Sequence, residues 1–249
     1  GQVWETPRKD FVWETGFSYQ DGTGYQPIGI SGVSVGGTLY GTGDSTYGHH
    51  MDYQNGKVVF DSAISTTSTV TMNYSHRAYQ FYIGSRTPWW QQVQQGSFRV
   101  EDSQLDQQTS GEWGVLSQNR VQLPSVVIES VPRRQSQGYQ LGDDSLLVYQ
   151  DVMFHIITES KWDRNQMIDI LTLQDDKTIW LYNESNLLLD GKYPLDYRGS
   201  LVSNPIMYPD IVSSTGYRWK KCTFQNSRVS EVDSFSPEIH QASVRVTFE

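Results

Sequence analysis

His49 and His50 stand side by side, Asp52 follows two residues on, and His76 lies further downstream. Imidazoles and a carboxylate are ligands that zinc accepts, so these four are the first candidates for chemistry. The competing reading is a loop entering a β-hairpin. Neighbours on a strand point to opposite faces and are badly placed to share one ion. That second reading is preferred, and no metal is expected. His155 falls between Phe154 and Ile156 in an apolar run, where a sheet-face residue is expected rather than a catalytic base. His240 opens the last expected strand and has no evident partner near it in the sequence.

The paired carboxylates Asp143-Asp144 and Asp175-Asp176 fall in expected turns, where Asp is favoured because its side chain bonds nearby backbone. A glycosidase needs two carboxylates facing each other across a cleft, and adjacency does not supply that. Cys222 is the single cysteine, so no intramolecular disulfide can form. It follows Lys220 and Lys221, whose charges could lower its pKa. With no histidine nearby, it reads as a small strand residue. Gly22-Thr23-Gly24 and Gly41-Thr42-Gly43 lack the further glycine and following helix of a dinucleotide site. No GxxxxGKS/T, GxSxG, HExxH or CxxC pattern occurs. Trp89 and Trp90, next to Pro88, offer rings that could stack on sugars. Tryptophan also fills cores and interfaces, and a packing plug between domains or subunits is the preferred reading. The residues therefore predict no catalytic group and no cofactor.

The elements that would carry these residues are mostly strands. The chain has 249 residues, 37% hydrophobic, 13% aromatic and only 19% charged. Abundant aromatics argue against disorder, and polar uncharged surfaces suit contacts between subunits, where charge is depleted. The net charge is −9, with no basic block longer than Arg133-Arg134 or Lys220-Lys221, so a phosphate-binding stripe is not expected. No apolar run approaches the roughly 20 residues of a membrane span. The opening GQVWETPRKD carries no signal-peptide core, so a soluble protein folding in a reducing cytoplasm is expected.

Short strands recur through the first third. Ile28 to Val35 reads as a strand turning at Gly36-Gly37 into Thr38-Leu39-Tyr40. Lys57 to Phe60 follows the Asn55-Gly56 turn, and Thr69 to Tyr74 alternates with period two. Pro88 to Gln95 predicts a short helix with proline in its first turn. Leu123 to Ser130 and Ser145 to Thr158 are strands separated by a polar loop, Arg133 to Asp144. Ser160 predicts a helix cap, with Asp163 completing a capping box and Trp162, Met167, Ile170 and Leu171 on one face. Thr178 to Tyr182 is a strand, and 201–212 a short helix broken by Pro205 and Pro209. Tyr217 to Val232 and Ile239 to Phe248 close the chain as a hairpin. The fold class is α+β. A β-sandwich-like domain is expected over 1–95, and a mainly antiparallel sheet packed with one or two helices over 96–249.

Four stretches, in two pairs, carry a resemblance. HHMDYQNGKVVFDSAI (His49 to Ile64) followed by VTMNYSHRAYQFY (Val70 to Tyr82) resembles a stretch of the virion structural proteins of tailed bacteriophages. DVMFHIITESKWDRNQMIDIL (Asp151 to Leu171) with the closing VRVTFE (Val244 to Glu249) is similar to the small α+β proteins that complete a phage tail at the neck. The sizeable N-terminal β-domain departs from the minimal tail terminators. The resemblance implies a non-enzymatic virion subunit without a membrane partner. Copies of it would form a ring, commonly six-fold, that caps the tail tube and joins it to the connector. Neighbouring neck, tube or sheath proteins would be its partners, and DNA would pass without specific binding. Two other classes remain open from the residues. One is a carbohydrate- or receptor-binding module of a fibre or collar, using Trp89, Trp90 and Tyr25. The other is a hydrolase with dispersed catalytic residues.

Overall fold

The hairpin around Asn55-Gly56 shows how local sequence sets the first part of the chain. Strand β4 (His49–Asp52) pairs antiparallel with β5 (Lys57–Phe60), His49 opposite Phe60 and Asp52 opposite Lys57. Between them Gly56 takes φ +63°, and a Cβ there would come within 2.7 Å of the Arg8 carbonyl oxygen. Glycine is required at this position for both reasons. Asp52 holds the turn by accepting from the Asn55 backbone and side-chain N–H groups at 3.1 and 2.8 Å.

The computed structural model describes residues 1–12, 30–53, 55–94, 105–106, 121–140, 142, 146–181, 195–200, 202–203 and 221–249. Contacts gather them into two compact units, Gly1–Arg77 with Trp180–Lys220, and Ala78–Ile179 with Lys221–Glu249. In the first unit β1 (Val3–Glu5) lies beside β5, giving the order β1-β5-β4. A second small sheet has the order β3-β2-β6, from β2 (Val33–Val35), β3 (Thr38–Tyr40) and β6 (Val70–Thr71). Alternate residues of these strands meet in one core of Phe11, Ile30, Val33, Val35, Met51, Val58 and Phe60. The expected strand from Thr69 to Tyr74 shrinks to two residues. The expected short helix at 201–212 lies outside the described residues, apart from 202–203.

The second unit is a six-stranded sheet in the order β12-β13-β14-β11-β10-β7. Its elements in chain order begin with β7 (Gln80–Ile83), α1 (Pro88–Gln94) and the short parallel pair β8 (Leu105–Asp106) and β9 (Val121–Gln122). There follow β10 (Ser125–Gly138), β11 (Leu146–Thr158), α2 (Lys161–Thr172) and β12 (Thr178–Trp180). The hairpin β13 (Lys221–Ser236) and β14 (Ile239–Phe248) closes the chain. The β7–β10 pairing is parallel, and the registers of β10 with β11, β11 with β14 and β13 with β14 are antiparallel. The fold is α+β, with a mainly antiparallel sheet and few helices. Ala78 to Gln94 was expected with the first domain but packs in the second unit, because β7 is hydrogen-bonded to β10. The chain around Arg198 instead returns to the first unit, where its carbonyl accepts from the Met51 N–H at 2.9 Å.

One face of this sheet is sealed by α2. Val126, Phe154, Ile156, Ala242, Val244 and Val246 meet Met167 and Leu171 there. The Ser160 hydroxyl caps the helix by accepting from the Trp162 N–H at 3.1 Å. Its inward face is narrower than expected, since Trp162 is 69% exposed and Ile170 43%. At 3.6 residues per turn Trp162 lies about 140° around the helix from Met167, too far to share its stripe.

The expected loop at Arg133 to Asp144 is also corrected. Its first six residues continue β10. The ladder skips between Ser130 and Arg134, and Pro132, which has no N–H to offer, sits in that bulge. Beyond it, Arg134 to Gly138 pair with Gln150 to Leu146 as a projecting arm, about 17 Å long at 3.3–3.4 Å per residue.

Candidate functional site

The face of the second sheet opposite α2 carries the polar residues, because odd-numbered positions of β11 all point there. At one end of this face Trp89 and Trp90 pack on Leu123, Val127, Ile157 and Ile239. Both indoles are buried, Trp89 at 7% and Trp90 at 1% exposure, so they are core inside one unit. They do not form an exposed platform for sugar rings.

Beside them, three strands bring together Glu129, His155 and Ser243. His155 Nδ1 lies 2.9 Å from Ser243 Oγ, and Nε2 lies 3.0 Å from Glu129 Oε2. Gln94 donates to the same carboxylate oxygen at 2.8 Å, and the Trp90 ring lies over the imidazole at 4.6 Å. These are the distances of a serine–histidine–acid triad. A nucleophile must also meet its substrate, and Ser243 is 1% exposed in mid-strand. The arrangement therefore locks the imidazole between β10 and β14.

Further along the same face the cover ends and a groove of about 460 Å³ opens. Two side chains from each of four neighbouring strands line it: Gln135 and Gln137, Tyr149 and Asp151, Arg245 and Thr247, Asn226 and Arg228. Asp151 accepts from the Thr247 hydroxyl at 2.7 Å and from the Arg245 guanidinium. The Tyr149 hydroxyl accepts from Gln137 at 2.9 Å and donates to Glu249 at 3.2 Å. Removal from water and the Glu249 carboxylate both raise the Tyr149 pKa, so the phenol keeps its proton. The Gln225 amide also donates to Glu249.

No protein-family model matches this chain, and no curated protein matches it either.

The remaining residues marked by the sequence are scattered. His49 is wholly buried with Nδ1 2.7 Å from the Tyr47 carbonyl, while His50 points outward to Asp61 at 3.2 Å. The pair thus lies on opposite faces, as alternation requires. His76 pairs through its backbone with Phe11 and stacks near Tyr74. Among the described residues no three His, Cys, Asp or Glu side chains come together as a metal site. Asp175 is held below the usual carboxylate range by the hydroxyl and N–H of Ser227, and Asp176 turns the chain at φ +65°. Burial pushes the Cys222 thiol upward, the reverse of an activated nucleophile. Thr42 of the Gly41-Thr42-Gly43 loop bonds Ser200 at 2.5 Å. His240 is buried with Nδ1 unbonded among the described residues. Tyr25, Gly22 to Gly24, Asp143-Asp144 and Lys220 lie outside the described residues.

Sequence reasoning missed Arg198. Its guanidinium donates to the Thr42 carbonyl at 3.1 Å and to both Asp61 carboxylate oxygens at 3.1 and 2.9 Å. It clasps a distant segment onto the first unit. The signal was the DYRGS turn (Asp196 to Ser200), where Asp196 accepts from the Arg198 and Ser200 N–H groups at 2.9 Å each.

Proposed function

We propose that this chain is a structural subunit of a tailed-phage particle at the head–tail joint. In this reading copies of it close into a ring, six-fold by the resemblance, that ends the tail tube and meets the connector. The observation that carries the reading is the arm of β10 and β11. β14 stops at Phe248, opposite Gln150, and β7 stops at Ile83, opposite Ile128. Beyond the Gln150 rung, among the described residues, no third strand lies beside the arm. Leu146 near its tip is 56% exposed and Tyr139 60%. A long strand edge with apolar tips invites pairing with another chain, and natural proteins leave such edges where they assemble.

The likeness of the Asp151 to Leu171 and Val244 to Glu249 segments to neck proteins supports a location inside the virion. The charge of −9 suits a conduit, because a wall of the same sign as the phosphates lets DNA slide past unbound. Neighbouring neck, tube or sheath proteins would hold the ring in place.

Sedimentation of the purified chain at rising concentration tests this. The wild type is expected to form one closed species of several copies, and Leu146→Asp to shift it toward monomer with unchanged circular dichroism. A wild type that stays monomeric at micromolar concentration contradicts the reading.

A further inference from the structure

We propose that the groove across β10, β11, β14 and β13 is a binding site for an acidic saccharide, a sugar bearing a carboxylate that Arg228 and Arg245 receive. The β13–β14 ladder contains a conflict of charge. Arg228 and Arg245 are direct register partners, and both line the groove. Like charges placed directly opposite destabilise a strand pair. Asp151 pairs with Arg245, whereas Arg228 is exposed and has no ion-pair partner among the described residues. The eight lining residues thus carry two positive charges against the one negative charge of Asp151, while the Glu249 carboxylate beside the groove is taken up by Tyr149 and Gln225. A carboxylate is the group that two guanidiniums bind by paired N–H bonds.

The rest of the lining selects the scaffold that bears the acid. All eight residues carry a polar group, and three are side-chain amides, which suit hydroxyl groups as donors and acceptors. Tyr149 is held by Gln137 and Glu249, so it offers a fixed aromatic ring at one side. The volume of about 460 Å³ falls in the range of ligand sites. Four strands span about 14 Å, room for more than one sugar ring. A peptide would be expected to meet apolar pockets, which this lining lacks. A nucleic acid would need a longer basic track than two arginines.

Titration calorimetry on the full chain tests the site independently of ring formation, with trigalacturonate and sialyllactose as acidic probes. Maltotriose serves as the neutral probe and inorganic phosphate as the bare anion. At least one acidic probe is expected to bind at least tenfold tighter than maltotriose and phosphate. Arg228→Gln is expected to weaken it at least tenfold, while Arg228→Lys keeps part of the affinity. Arg228 is exposed, so thermal melting should show both variants folded. Failure of both acidic probes to bind, equal binding of maltotriose, equal binding of phosphate, or full affinity in Arg228→Gln would each overturn the proposal.

Discussion

Replacing His155 by leucine removes the imidazole that joins Glu129 on β10 to Ser243 on β14. Three terms set the size of the loss. The Ser243 hydroxyl, 1% exposed, is left without its partner, which costs about 1–2 kcal/mol. The Glu129 side chain is 28% exposed and keeps Gln94, so its loss is at the low end, about 1 kcal/mol. The ring contact with Trp90 contributes about 0.5–1 kcal/mol. Leucine returns up to about 1 kcal/mol through its own apolar burial. The net is a destabilisation of about 1.5–4 kcal/mol, or a fall of about 3–16 °C in Tm for a chain of this size. Ser243→Ala alone should cost about 1–2 kcal/mol, because His155 then loses one bond. The double variant should cost less than the sum by about 1 kcal/mol, since both changes break the same bond. Urea unfolding, with hydrogen exchange of the β11 amides to localise the effect, measures all three. A neutral His155→Leu, or strict additivity in the double variant, would refute the network.

Three further outcomes follow from local geometry. Gly32 has φ +142°, and a Cβ there would lie 2.0 Å from the Tyr40 carbonyl oxygen. Gly32→Ala should therefore destabilise the first unit by about 2–4 kcal/mol, against about 1–2 for Gly36→Ala, whose Cβ meets nothing, as thermal melts would show. Ser160→Ala should cost about 1 kcal/mol through the lost α2 cap, and circular dichroism during urea titration would show it. Burial, then the charges of Lys161 and Arg164, hold the His240 imidazole below its ordinary value. The folded state then binds fewer protons than the unfolded one, so stability falls as pH drops below about 6.5 toward the lowered pKa. His240→Gln should flatten that part of the stability–pH curve, and an unchanged curve would contradict the assignment.

The elements legible in the sequence are those with a local cause. Asn55-Gly56 announces the β4–β5 turn, and Ser160 announces the start of α2. The arm is not legible, because Gln135, Ser136 and Gln137 extend β10 with polar residues at successive positions, without the alternation that marks a half-buried strand. The face of α2 was misjudged because Trp162 is apolar yet points away from the sheet. Glu129, His155 and Ser243 are drawn together only by the register of three strands, with partners 26 and 88 positions apart in the sequence, and no local motif spans such gaps. The groove has the same origin. Each of its residues looks like an ordinary solvent-facing side chain of its own strand, and they become a site only when four strands align.

Assembly is tested most directly by electron cryo-microscopy of the purified chain at micromolar concentration. Closed six-fold rings are expected, in which the arm of β10 and β11 lies against a strand edge of the adjacent copy. Isolated monomers, or oligomers whose arms point free into solvent, would contradict it.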